Sequence, residues 1–312
     1  MAGRDTARAG HGAGARALTR RLLVTLALLA LVAWLAAPLA RIVTLIANAP
    51  RRSAPIEAAD LRLEAIRFRA SDGVLLAGSF ALASRDAPTV VLAHGFKTSR
   101  AEMLPWARFL REAGYNVLLF DSRGCGESEG WAIGAGATEP RDIIGAVRHL
   151  RERGDLADPR VAVLGISLNA GAAVLAAARE PGVSAVVADS AWADEDFQLA
   201  RLRSIRAGSL DLPLPPYGTA LLDALVGAPL EAARPSDEIA AVAPRPVLLI
   251  HSADDGNATT PLSGARLLFQ RAGEPKELWV AERGGHVGAL ETFPEEYRAR
   301  VLGFLRRSFP PR

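Results

Sequence analysis

The chain has 312 residues, half of them hydrophobic and 23% charged, enough to bury a large core and too apolar for global disorder. A single cysteine, Cys125, excludes an intrachain disulfide and a cysteine-based zinc site. The overall charge of +3 is uneven: residues 1–52 hold eight arginines and one acid, a net +7. The other 260 residues therefore carry −4, which speaks against nucleic-acid binding.

Taken in chain order, residues 1–21 form a basic arm, and residues 22–40 run nineteen positions without a charge. As a helix this run spans ~28 Å, close to the hydrocarbon thickness of a bilayer. Five arginines precede it and three follow, a bias that puts the N-terminus in the cytoplasm and the rest outside. We therefore expect a single-pass anchor over 22–47. A cleaved or exported signal is the competing reading, although no clean small-x-small cleavage site is present. Residues 48–60, with their prolines and charges, read as a linker, and 61–312 as the soluble domain.

Within that domain, Leu61–Ala70 and Val74–Leu82 alternate like a strand hairpin around Ser71-Asp72-Gly73. Strand and helix signals then alternate. Strands are predicted at Thr89–Ala93, Asn116–Phe120, Val161–Leu164, Ala185–Ala188, Pro246–Ile250 and Glu277–Val280. Helices are predicted at Ser99–Ala113, Glu139–Arg153, Ser167–Arg179, near Pro261–Ala272 and at Pro294–Ser308. That is the pattern of an α/β domain: a mostly parallel sheet of about eight strands with helices on both faces, and ligands at the carboxyl ends of the strands. Residues 191–243 are too long for a crossover and read as a cap or lid, with a helix-like stretch at Leu221–Val226.

The sharpest local signal is Gly165-Ile166-Ser167-Leu168-Asn169, where a buried strand meets a helix at once. A serine on such a turn is lifted clear of the backbone, with the positive end of the helix behind it. A helix N-cap serine is the bland alternative. Three other strand ends carry complementary chemistry. Thr89–Ala93 ends in His94-Gly95-Phe96, where the Phe96 amide can join the Leu168 amide in holding an oxyanion. Pro246–Ile250 leads to His251-Ser252-Ala253-Asp254-Asp255, and Glu277–Val280 leads to Gly285-His286. Donor, nucleophile, acid and base thus follow the chain order of a strand-end triad.

Together with Asp121-Ser122-Arg123-Gly124-Cys125-Gly126-Glu127-Ser128 and Ala188-Asp189-Ser190, these segments resemble the α/β-hydrolase superfamily, in its bacterial serine-hydrolase and esterase branch of Bem46-like proteins. The resemblance implies Ser167 as nucleophile, His286 as general base and Asp255 as the orienting acid, with Asp254 as fallback. It implies Phe96 and Leu168 as the oxyanion hole, and neither metal nor organic cofactor. The expected partners are a small acyl or ester substrate and the membrane. Two departures stand out: Asn169 replaces the second glycine of the turn, and Ser252 replaces a glycine before the acid. A peptidase of the same fold and a non-catalytic binding protein are the rival readings. Asp189 and Asp194 are candidate substrate contacts; Trp131, Trp192 and Tyr217 are candidate pocket walls or packing residues. Cys125, His149 and His251 read as structural or surface residues.

Overall fold

The computed structural model describes residues 6–46, 58–194, 203–207 and 210–310, so most of the 48–60 linker and part of the 191–243 cap lie outside the described residues. Strands β1 (Glu64–Arg69), β2 (Leu75–Ala81), β3 (Thr89–Ala93), β4 (Asn116–Phe120), β5 (Val161–Ile166) and β6 (Val183–Asp189) are followed by a cap hairpin, β7 (Ser204–Ala207) and β8 (Leu210–Pro213). Then come β9 (Val247–Ser252) and β10 (Lys276–Ala281). The main sheet has eight strands in the order β1-β2-β4-β3-β5-β6-β9-β10. The first two are antiparallel to their neighbours and the rest run parallel. From β3 the chain first steps outward to β4 and then returns to the other side of β3 as β5. This reversal leaves a crevice between the ends of β3 and β5, where open α/β sheets bind their ligands.

The helices are α1 (Thr6–Ile46), α2 (Leu104–Glu112), α3 (Glu139–Glu152), α4 (Leu168–Arg179), α5 (Tyr217–Val226), α6 (Leu262–Arg271) and α7 (Pro294–Ser308), with shorter turns between them. Strand residues alternate between two cores. Val91 and Ala93 face α3, α4 and α6, while Val90 and Leu92 face α2 and α7. Helix α4 is buried all round from Leu168 to Ala177, and its alanines let it lie close to the sheet. Gly171 marks a tight contact: a Cβ there would overlap the indole of the fully buried Trp192.

Several local expectations shift. The first strand begins at Glu64 because residues 59–61 form a 3-10 turn and Arg62 takes a left-handed φ of 48°. The Ser99–Ala113 helix divides into a 3-10 turn and α2, whose first turn holds Pro105. The cap hairpin has no counterpart in the predicted elements. Helix α1 continues through Pro38 and is longer than the 22–47 stretch. Its Ala17–Ile46 portion is long and apolar enough to cross a membrane, and its leucines face outward. Its last turns are different: Ile42 and Ile46 are buried against Ala135, Leu222 and Leu230 of the body and cap.

The close packing of α4 predicts that Gly171→Ala lowers the unfolding free energy by about 1–3 kcal/mol in denaturant titrations. Gly154→Ala, where an added Cβ meets open space, should leave it unchanged or slightly raised.

Candidate active site

Ser167 sits at the end of β5 with φ 52° and ψ −116°, outside the comfortable regions for a non-glycine residue. Two features hold it there. Its amide donates to the Asp189 carbonyl at 2.9 Å on the neighbouring strand. Gly165 provides room behind it, since a Cβ at that position would overlap the Asn169 carbonyl. The turn projects the serine side chain toward the crevice and starts α4 at Leu168, whose amide has no acceptor within its own helix.

Asn169 works here as a tie. Fully buried, it donates through Nδ2 to the His94 carbonyl at 2.6 Å and to Ser122 Oγ at 3.0 Å. The substitution for glycine therefore links the serine turn to the ends of β3 and β4. His94 completes the link. Its Nδ1–H donates to the Gly95 carbonyl at 2.8 Å, and its Nε2 accepts the Ser122 amide at 3.0 Å. This arrangement requires the neutral ring, and burial lowers the histidine pKa in the same direction. A Cβ on Gly95 would sit 3.6 Å from Ser167 Cβ, in van der Waals contact, so the loop carrying the Phe96 amide lies beside the serine.

His286 reaches Ser167 from the loop after β10. Its Nε2 lies 2.8 Å from Ser167 Oγ, and its Nδ1 lies 2.9 Å from Asp255 Oδ2. Thr260 Oγ1 is 3.2 Å from the same Nδ1. Asp255 also accepts the Asn257 amide at 2.9 Å. Burial opposes ionisation of Asp255, but the bonds from His286 and Asn257 outweigh it and hold the carboxyl below its usual range. Asp254 points elsewhere: it is exposed and accepts the Gly285 amide at 2.8 Å, bracing the loop that presents His286. The structure therefore brings Ser167, His286 and Asp255 together and leaves Asp254 outside. His251 lies beneath them, fully buried, its Nε2 3.4 Å from Asp255 Oδ2. Burial lowers its pKa, so it stands as a neutral wall beside the acid.

Other predicted residues take different roles. Asp189 is buried beneath the site and makes no surface for substrate. It accepts Tyr297 Oη–H at 2.9 Å and Ser190 Oγ–H at 3.0 Å. Tyr297 in turn accepts Trp106 Nε1–H at 2.8 Å, and Ser190 Oγ accepts the Val287 amide at 3.2 Å. Burial pushes the Asp189 pKa up to about 6 against those bonds. Trp192 is a core residue bonded to the Leu168 carbonyl at 2.8 Å, whereas Trp131 and Tyr217 are exposed. The Cys125 thiol is buried and pushed up to about 12 by burial and nearby acids, which suits a packing role. His149 is half-buried and stacks on Phe68, where a solvated position was expected. Glu102 was missed altogether: its carboxylate accepts the Gly95 amide at 2.8 Å and Thr98 Oγ1–H at 2.5 Å. The Ser99-x-x-Glu102 spacing is that of a capping box, but the carboxylate turns to the Gly95 amide instead.

A serine on a strained strand–helix turn, at the switch point of this sheet, defines the α/β-hydrolase class. The protein YfhR of Salmonella typhi is 31% identical over 252 residues, 78% of this chain and 81% of its own. YqkD of Bacillus subtilis is 31% identical over 229 residues, 72% and 73% of the two chains. The family model for the X-Pro dipeptidyl-peptidases (S15 family) matches residues 72–211. Among solved structures, the esterase Pf2001 of Pyrococcus furiosus superposes with a TM-score of 0.65 at 26% identity, covering 83% of this chain and 99% of that one. The chain belongs to the YfhR family within the α/β-hydrolase superfamily.

Asp189 gives a pH prediction. With a folded pKa of about 6 against an ordinary 3.8, the native state holds this proton more tightly than the unfolded chain. Its contribution to stability is greatest below pH 4 and declines as pH rises through 6. Relative to Asp189→Asn, the wild type should lose on the order of 2–3 kcal/mol between pH 4 and 7, read by denaturant titration at each pH.

Proposed function

We propose that this protein is a membrane-anchored serine hydrolase that cleaves an ester or related acyl bond through an acyl-enzyme. The observation that carries the reading is the continuous relay Ser167 Oγ–His286 Nε2–Asp255 Oδ2, with spacings of 2.8 and 2.9 Å. His286 Nε2 takes the Ser167 proton as Oγ bonds to the acyl carbon. The carbonyl oxygen becomes an oxyanion facing the Phe96 and Leu168 amides, each worth about 3 kcal/mol in comparable sites. His286 then gives the proton to the departing alcohol, and water repeats the sequence to release the acid. Asp255 holds the Nδ1–H tautomer and balances the imidazolium charge.

Anchoring is supported by the last turns of α1, where Ile42 and Ile46 complete a buried cluster with the cap. Cleavage after Ala49 would strip that cluster. The net charge of −4 outside residues 1–52 favours a small-molecule substrate over nucleic acid.

The family match to X-Pro dipeptidyl-peptidases keeps a peptide bond as second reading. Asp189 is sealed under Tyr297 and cannot hold a peptide amine, whereas Asp194 keeps one carboxylate oxygen without a hydrogen-bond partner among the described residues. Fluorophosphonate labelling of the full-length protein should modify Ser167, and Ser167→Ala should remove the label. In parallel, Ser167→Ala and His286→Ala should cut turnover of a short acyl ester by on the order of 10⁴-fold or more, with circular dichroism unchanged. Absence of labelling in folded wild type would favour a binding protein. Faster cleavage of a prolyl arylamide than of the ester would favour the peptidase.

A further inference from the structure

Helix α1 and the cap hairpin are joined at a depth that the arginines fix. The uncharged run between Arg21 and Arg41 fills ~28 Å as a helix, so these two charges mark the faces of a hydrocarbon layer ~30 Å thick. Arg41 Nη1 donates to the Ser204 carbonyl at 2.9 Å, which puts the start of β7 at the boundary. Trp34, ~10 Å further down the helix, donates through Nε1 to the Pro213 carbonyl at 2.8 Å. Ser204 and Pro213 face each other across the hairpin, so β8 is the deeper strand. At the same depth Tyr217 Oη donates to the Leu35 carbonyl, which brings the start of α5 down as well.

One face of β8 suits an apolar surrounding, while the charged residues Arg206 and Asp211 are register partners across the hairpin. Leu210 and Leu212 are 65% and 47% exposed and share one face of β8, with Asp211 on the other beside Ser204 Oγ at 3.3 Å. Pro213, Pro215 and Pro216 carry no amide hydrogen to leave unpaired, and the Leu214 amide is satisfied by the Arg203 carbonyl at 2.9 Å. The polar tips of Trp34 and Tyr217 are both satisfied inside the protein. One turn beyond Arg41, the Thr44 carbonyl accepts from Lys97 Nζ, the residue next to Phe96. The loop bearing the Phe96 amide is therefore tethered to the place where α1 leaves the apolar layer.

We propose that the β7–β8 hairpin lies in the membrane beside α1 and opens the site sideways to the bilayer, so that the substrate is an acyl ester of a membrane-resident lipid. The substrate part of this inference rests on the serine-hydrolase reading; the depth of the hairpin does not.

The test uses the full-length protein in phosphatidylcholine–phosphatidylglycerol vesicles. Leu212→Cys on a Cys125→Ser background is labelled with bimane and challenged with acyl-chain spin-labelled lipid and with aqueous iodide. Quenching by the lipid and protection from iodide are expected; iodide quenching without lipid quenching would overturn the proposal. Turnover of a diacylglycerol in the vesicles is then compared with that of a short water-soluble ester. Leu210→Asp with Leu212→Asp should lower the ratio of lipid to soluble turnover about tenfold or more. An unchanged ratio, or wild type that cleaves the soluble ester alone, would overturn it. Loss of both activities in wild type that still shows lipid quenching would instead count against the hydrolase reading.

Discussion

Everything at the site depends on keeping Ser167 in a backbone conformation that costs of order 1–3 kcal/mol. The cost is met by over-determination. The amide of Ser167 is fixed by the next strand, Gly165 clears the space behind it, and Asn169 ties the following turn to His94 and Ser122. Because the same Asn169 also fixes the end of β3, the loop bearing Phe96 and the turn bearing Ser167 share one brace. A shift in either would be felt by both.

A second brace lies on the opposite side. The chain of bonds from Trp106 through Tyr297 to Asp189, and from Ser190 to the Val287 amide, connects α2, α7 and the ends of β6 and β10. It steadies the loop that presents His286 from beneath. Its acid is held in a medium that raises its pKa, so the network spends electrostatic stability on position. The loop at 121–128 is built similarly. Asp121 accepts the Arg100 and Glu127 amides and pairs with the Arg100 guanidinium, while Arg123 bridges Asp142 and Asp72. Ser122 is thereby delivered to both Asn169 and His94.

How much of this could be read from the sequence follows from the range of each interaction. Strands such as Thr89–Ala93 and Asn116–Phe120 are legible because a buried parallel strand is a short apolar run with turn residues at its ends. The serine turn is legible because strand, Ser167 and helix are contiguous. The choice between Asp254 and Asp255 is not, since both follow β9 and only the folded loop decides which faces His286. Tyr297 and Asp189 meet across 108 residues of sequence, with no local pattern to betray their bond, and Glu102 reaches back seven residues to Gly95 from a spacing that suggests a different amide. The cap hairpin is missed for another reason. Leu210 and Leu212 do alternate with Asp211, but the run is short and both leucines are exposed.

The burial of Ile42 and Ile46 has a consequence for how the molecule is assembled. Leu222 and Leu230 belong to the cap, yet the side chains that shield them come from a helix encoded more than 170 residues earlier. The sheet and its flanking helices have cores of their own, which Ile239 and Val242 join, whereas Leu222 and Leu230 are grouped with Ile42 and Ile46 of α1 among the described residues. The packing of Leu222 and Leu230 is thus tied to where the last turns of the first helix reside. A chain in which those turns sit elsewhere exposes both leucines to water, so the placement of α1 and the order of a segment far along the chain are coupled through one small apolar cluster.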